Sequence, residues 1–337
     1  MCTNFRLTAQ DGSVVVARSM EFPDMLGAQV TAIPRGVTYT SASPEGEGAS
    51  WTTIHGVVGM DAIGDTQYLT DGMNEAGLYA GVLYMPGFAD YEDPTGIEPS
   101  RVISNMDICN YVLTMCSSVS EAFEVLGKLT IWAQPQPAIG GVPPIHLVLH
   151  DKSGASGVVE FNNGKQQHID NPVGVATNAP YLDWHYNNLR VHLPTLHALN
   201  PAPAEVNGVT FAPVSQGQGF MGIPGDGGSP SRFLRATGYV WTMTAQKDAA
   251  TQEMAAFHAL NNFDIPDGVM AGTGATGLPQ NDRTTWSSIS SLSAGRYIIR
   301  VENNPSPYVV DLASTDFSGG SPRQVSVPSG TFIELKV

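Results

Sequence analysis

The chain has 337 residues, 42% of them hydrophobic and only 14% charged, which excludes a disordered protein and allows a large packed core. Acidic residues outnumber basic ones 31 to 16, and the net charge of −15 makes nucleic acid and anionic membrane surfaces poor partners. No apolar run approaches the ~20 residues that span a bilayer, and no basic region followed by an apolar stretch opens the chain. A cytoplasmic protein is expected from the sequence as it stands, or a periplasmic one if a leader has been removed.

The N-terminus reads as a hairpin. Residues 2–9 alternate, Asp11-Gly12 makes the turn, and residues 13–20 return. Residues 29–36, 53–60 and 77–85 read as further strands. Helical spacing follows over 103–126, broken near Ser117, with Ser118 and Glu121 placed as a capping box for its second half. Residues 145–151, 157–164 and 165–170 read as a meander with Gly/Asn turns. Helices are expected over 181–199, 231–244 and 248–262, and strands over 284–292, 295–302, 308–313 and 331–337. Strands lead, helices sit between, and strands close the chain. That order favours an α+β fold over alternating βαβ units. There is no clear linker, so residues 1–337 are expected to form a single domain. The Pro/Gly-rich stretch 201–228 is the longest loop, a length usually kept for function or assembly.

Two strings match the spacing of a dinucleotide-binding turn, Gly217-Gly219-Gly222 and Gly272-Gly274-Gly277. Neither follows a convincing strand or opens a helix, so no nucleotide cofactor is expected. His146 and His150 share one strand face, but no further ligand accompanies them; they read as structural histidines, and no metal is expected. Of three cysteines, Cys109 and Cys116 lie on a helical pattern roughly 10 Å apart along its axis, too far for a disulfide. Buried apolar packing is their simplest role.

Cys2 differs. Removal of Met1 would make it the N-terminal residue. Its freed α-amine, which ordinarily titrates near pH ~8, could then serve as base for its own thiol. Position 2 alone is weak grounds; an accidental cysteine is the plainer reading. The surrounding residues change that. Cys2-Thr3 with Arg18-Ser19-Met20-Glu21-Phe22 resembles the start of the choloylglycine hydrolase family, which holds bile salt hydrolases and penicillin V acylases. The resemblance continues through Ile33-Pro34-Arg35-Gly36, Asp71-Gly72-Met73-Asn74-Glu75-Ala76-Gly77-Leu78 and Thr177-Asn178-Ala179-Pro180. It extends through Asp183-Trp184-His185 and Gly222-Ile223-Pro224-Gly225-Asp226 to Ser229-Pro230-Ser231-Arg232-Phe233. Each piece is weak alone; their shared order and spacing carry the assignment.

The resemblance implies a four-layer αββα N-terminal-nucleophile sandwich with two packed antiparallel sheets, and a hydrolase of linear amides that needs no cofactor. It implies Cys2 as nucleophile, Arg18 and Arg232 supporting the thiolate, and an oxyanion hole made by the Asn178 side chain and the Tyr84 backbone N–H. Asn74 is expected to shape its turn. The family usually has Asp where this chain has Glu21; a carboxylate there is expected to hold the α-amine and thiol, and the longer side chain implies a shifted backbone, a slower reaction or an altered site. Met20, Phe22 and Tyr84 are expected to bind the acyl group, with Phe22 and Tyr84 as an aromatic wall. An aromatic at 84 resembles the penicillin V acylases and enzymes of N-acyl homoserine lactones. Conjugated bile salts, with glycine or taurine as leaving group, are the alternative, and a catalytically silent binding protein on the same scaffold is an alternative of another class. The partner implied is a small N-acyl amide, and a homotetramer is implied by analogy.

Overall fold

The computed structural model describes residues 1–199, 202–215, 217–273 and 279–330. Two large antiparallel sheets are packed face to face. The first joins β1 (Cys2–Thr8), β2 (Val14–Phe22), β10 (Val175–Ala176), β11 (Met270–Thr273), β12 (Pro279–Ser291), β13 (Arg296–Val301) and β14 (Asn304–Asp311). Its order is β10-β1-β2-β12-β13-β14, with β11 also paired to β12. The second joins β3 (Val30–Ile33), β4 (Val57–Ala62), β5 (Asp65–Asn74), β6 (Leu78–Tyr84), β7 (Ile145–Asp151), β8 (Ser156–Phe161), β9 (Gln166–Asp170) and β15 (Arg323–Val325). Its order is β9-β8-β7-β6-β5-β4-β3-β15.

Helices cover both outer faces. On the second sheet, α1 (Ile108–Met115) lies over β5 and β6, and α2 (Val119–Leu126) over β7 and β8. On the first sheet, α4 (Ser229–Thr242) lies over β1, and α5 (Ala249–Leu260) over β2 and β12; α3 (Leu182–His192) packs on α4. Each interface has its own apolar cluster. Leu78, Ala80, Val112 and Leu149 sit under α1 and α2; Phe5, Ala17, Phe233 and Ile289 under α4 and α5; Val16, Met60, Trp286 and Ile299 between the sheets. The result is the αββα arrangement expected.

Alternation explains the layering. In β1 and β2, Cys2 stands opposite Met20 and Asn4 opposite Arg18. Side chains alternate between the two faces of a strand, so these four point between the sheets, while Thr3, Phe5, Ala17 and Ser19 face the helices. Asn4 confirms its direction by donating to the Tyr79 hydroxyl at 3.0 Å across the gap.

Several elements differ from expectation. The 103–126 helix begins as a strand, Val102–Ser104, before α1. The Ser118 hydroxyl caps α2 by accepting from the Glu121 N–H at 3.2 Å, but Glu121 returns its carboxylate to the Ser117 N–H at 2.7 Å, so the box is displaced by one residue. A reciprocal capping box is found at α5 instead, between Asp248 and Thr251. Helix α3 gives way to a 3-10 turn at Leu193–Thr195, where Pro194 cannot continue the α-helical bonding. The 201–228 loop contains an exposed hairpin, Ala204–Val206 with Val209–Phe211, turned by Asn207 and Gly208, both with positive φ. Alternation there is too short to read from sequence. The strand expected over 331–337 lies outside the described residues, as do Gly274 and Gly277.

Candidate active site

The first hairpin brings Cys2 and Arg18 to the inner face of the sandwich. Cys2 is buried, and its sulfur touches Arg18 Nη2 at 3.5 Å and Met20 Sδ at 3.4 Å. Arg18 is fully buried. It donates to the carbonyls of Val82 at 2.8 Å and Thr70 at 3.0 Å, and faces Asp71 at 3.4 Å. Asp71 in turn accepts from the hydroxyls of Ser288 at 2.6 Å and Tyr297 at 3.1 Å. Burial works against the guanidinium charge, but Asp71 and the Cys2 sulfur outweigh it, and Arg18 is held well above the ordinary arginine range.

Asn178 follows β10 and reaches Cys2 from the opposite side. Its Oδ1 accepts from the Cys2 N–H at 2.8 Å, and its Nδ2 donates to the Tyr84 carbonyl at 2.6 Å. Ser229 Oγ accepts from its backbone N–H at 2.9 Å. Two buried histidines grip the same turn: His146 Nε2 meets the Thr177 carbonyl, and His185 Nε2 the Asn178 carbonyl, each at 3.0 Å. Bonding to a carbonyl requires the N–H on Nε2 in both rings. Burial pushes the His185 pKa down to about 4, so that ring is neutral.

Arg232, in the first turns of α4, closes the cluster from the helix side. It donates to the Cys2 carbonyl, to Thr3 Oγ1 at 2.9 Å and to Asn178 Oδ1 at 2.5 Å. Burial lowers its pKa from the ordinary value, against the pull of Glu21 and Cys2.

The Tyr84 backbone N–H is placed by sheet register. Tyr84 stands opposite Ile145, yet Met85 N–H donates to Pro144 and Ile145 N–H to the Tyr91 hydroxyl. Tyr84 and Ile145 therefore form a non-hydrogen-bonded pair, and the Tyr84 N–H points away from β7. On that side β5 pairs with β6 only over Tyr79–Gly81, which leaves the edge carrying Val82 and Tyr84 open to Arg18 and Asn178.

Glu21 stands apart. The pairing of β2 with β12 shifts register between Met20 and Glu21. Its carboxylate accepts from the Thr284 hydroxyl at 3.1 Å. With Met1 in place, the terminal amine donates to the Glu21 backbone carbonyl rather than to its carboxylate. Burial raises the Glu21 pKa, against Arg232, the terminal amine and the Ser19 and Thr284 hydroxyls.

An apolar cavity of about 90 Å³ accessible to water reaches Cys2, lined by Met20, Phe22, Tyr84, Val82 and Trp286 among others. Phe22 and Tyr84 meet edge to face with centroids 6.2 Å apart. A wider cavity of about 630 Å³ adjoins it around Met1. The other sequence-derived candidates are structural. Asn74 bonds the N–H groups of Ala76 and Leu78 and the carbonyls of Leu113 and Cys116. His150 bonds Asn4 Oδ1 at 2.7 Å. Cys109 and Cys116 are free, buried thiols whose pKa burial drives up, that of Cys116 to about 12. Among the described residues no three His, Cys, Asp or Glu side chains form a metal-binding group, and no helix is long and apolar enough to cross a membrane.

The site thus unites a cysteine at the head of a central strand, two buried arginines and an amide aimed across it, in an αββα sandwich. That combination of fold and site is the architecture of the N-terminal-nucleophile hydrolases. Comparison with known proteins gives the particular family. The family model of the linear amide C–N hydrolases, choloylglycine hydrolase family, matches residues 2–324, and the chain belongs to that family. It is a linear amide C–N hydrolase. Among its relatives, the bile salt hydrolase/transferase of Clostridium perfringens is 29% identical over 321 residues, 95% of this chain and 94% of that one. The solved C2A mutant of conjugated bile acid hydrolase from Clostridium perfringens superposes with a TM-score of 0.85 at 26% identity, covering 99% of each chain. Penicillin V acylase from Agrobacterium tumefaciens superposes with a TM-score of 0.76 at 25% identity, covering 97% of this chain and 92% of that one.

Proposed function

We propose that Cys2, once Met1 has left, is the nucleophile of an amidohydrolase acting on N-acyl substrates of the penicillin V or N-acyl homoserine lactone type. The freed α-amine takes the thiol proton, and the thiolate attacks the amide carbon. Negative charge then develops on the carbonyl oxygen, where Asn178 Nδ2 and the Tyr84 N–H stabilise it. The C–N bond breaks as the α-ammonium returns its proton to the leaving nitrogen. Water, deprotonated by the same amine, attacks the resulting thioester and frees the acid and the thiol. Arg18, fixed by Asp71 and two carbonyls, supports the thiolate; Asn178 Oδ1 holds the amine; Arg232 braces the Cys2 carbonyl and Asn178 Oδ1; Ser229, His146 and His185 position Asn178.

The observation that carries this reading is the meeting of Arg18 and Asn178 on Cys2 at the end of a narrow apolar cavity. Its Phe22–Tyr84 wall suits a phenoxyacetyl or straight alkyl chain better than a fused-ring steroid. Bile salt hydrolysis is the second reading, favoured by the name of the Clostridium perfringens relative. A panel of penicillin V, glycocholate, taurocholate and acyl homoserine lactones of several lengths tests the choice. Turnover of the slim acyl groups should exceed that of the cholates; preferred cleavage of glycocholate would establish the second reading instead. We also propose a homotetramer in which the exposed 204–211 hairpin, with Val206, Val209 and Phe211 each more than half exposed, takes part in assembly. Sedimentation of the wild type and of a Phe211→Asp variant tests it.

A further inference from the structure

The two cavities meet at a wall shared by Phe22, Leu26, Tyr84 and Ile139. The inner one ends at Cys2; the outer one surrounds Met1. An amide that sets its carbonyl carbon against the Cys2 sulfur sends its two halves in opposite directions. With the acyl chain in the inner cavity, the amine half lies in the outer one. The charge of the outer cavity therefore acts on the leaving amine.

That charge has one sign. Among the described residues lining the outer cavity, Asp282 is the one carboxylate, and no Lys, Arg or His is present. Glu21, Asp24 and Asp61 line the inner cavity, again without a basic residue. The neighbouring cations are engaged elsewhere. Arg18 faces Asp71, Arg232 is fully buried, and Arg283 is paired with Glu302 at 2.6 Å and bonded to the Pro23 carbonyl. Asp282 itself faces the Met1 ammonium at 3.6 Å, a partner that leaves with Met1. Its field reaches the shared wall: burial first, then Asp282, raises the pKa of the Tyr84 phenol.

We propose that this vestibule selects amides whose leaving amine is uncharged or cationic, and that Asp282 turns away leaving groups that carry a carboxylate or sulfonate. The inference rests on Cys2 being the nucleophile. It separates substrates that the acyl pocket cannot, because an acyl homoserine lactone has a neutral amine half, whereas penicillin V and glycine or taurine conjugates carry an anion there.

The experiment uses three amides with one acyl group: the N-phenoxyacetyl derivatives of glycine, glycinamide and homoserine lactone. Their kcat/KM values are compared in enzyme free of Met1, in the wild type, Asp282→Asn and Asp282→Lys. The two neutral amides should exceed the glycine derivative by about tenfold or more in the wild type, because like charges at an interface repel and the repulsion is screened by salt. The ratio should shrink at high ionic strength and in Asp282→Asn, and reverse in Asp282→Lys. Equal turnover of glycine and glycinamide derivatives, or a ratio unmoved by Asp282→Asn, would overturn the inference and leave the proposed function standing. Failure to cleave any of the three would remove both.

Discussion

Cys2 and Asn178, 176 positions apart in the chain, are joined by a 2.8 Å bond from the Cys2 nitrogen to Asn178 Oδ1. That nitrogen becomes the proposed base when Met1 leaves, and the other end of the same amide is the proposed oxyanion donor. One side chain thus aligns both proton transfer and charge stabilisation. Asn178→Ala should lower kcat by about a hundredfold or more, because one oxyanion donor is worth roughly 3 kcal/mol in the transition state. KM should move less. An unchanged kcat with a raised KM would make Asn178 a substrate-binding residue only.

The three thiols should separate cleanly. Cys2→Ser is nearly isosteric and should fold, yet lose most turnover, since a hydroxyl is far harder to activate than a thiol. Cys109→Ser and Cys116→Ser should retain the chemistry, as Cys109 lies on α1 and Cys116 at its C-terminal end, both buried in the cluster against the second sheet. Turnover and thermal melting of all three variants check this.

A pH prediction follows from His185, which burial holds at a pKa of about 4 against an ordinary histidine value of 6.5. Between those values the unfolded chain binds the proton and the folded one does not. Stability is therefore present above pH 6.5 and lost as pH falls toward 4, an effect of about 3 kcal/mol for this ring. His185→Phe keeps a ring to stack on Phe233 but removes the donor to Asn178. Melting temperature should fall less steeply with acid than in the wild type, while kcat drops at neutral pH. An unaltered kcat would show that the Asn178 turn holds without it.

The sequence carried the site better than its supports. Cys2, Arg18, Asn178 and Arg232 were legible because each sits in a short string whose order matches the family, and they do converge. Asp71 lay within one of those strings, but its tie to Arg18 depends on β2 and β5 facing each other across the sandwich, which no local pattern records. His146 read as structural; its bond to Thr177 places it beside the site. Glu21 was visible as a departure; its turn toward Thr284 required the register of β2 against β12. The 204–211 hairpin was missed because a few exposed residues give no periodicity.

Tyr84→Asn tests the acyl wall. It removes the ring that meets Phe22 and leaves the backbone N–H in place. Loss of the contact should cost an apolar acyl group roughly 10- to 200-fold in kcat/KM. Penicillin V and glycocholate both carry an anionic amine half, so a change in their ratio does not come from the charge of the leaving group. An unchanged ratio would mean that Tyr84 does not set acyl specificity.

Whether the reaction belongs to an N-terminal Cys2 is read directly by mass spectrometry of active enzyme. The intact mass should lack Met1. After iodoacetamide treatment to complete loss of turnover, a single adduct should lie on the peptide that begins at Cys2. Full activity with Met1 retained, or inactivation that follows modification of Cys109 or Cys116 while Cys2 stays free, would contradict an N-terminal nucleophile.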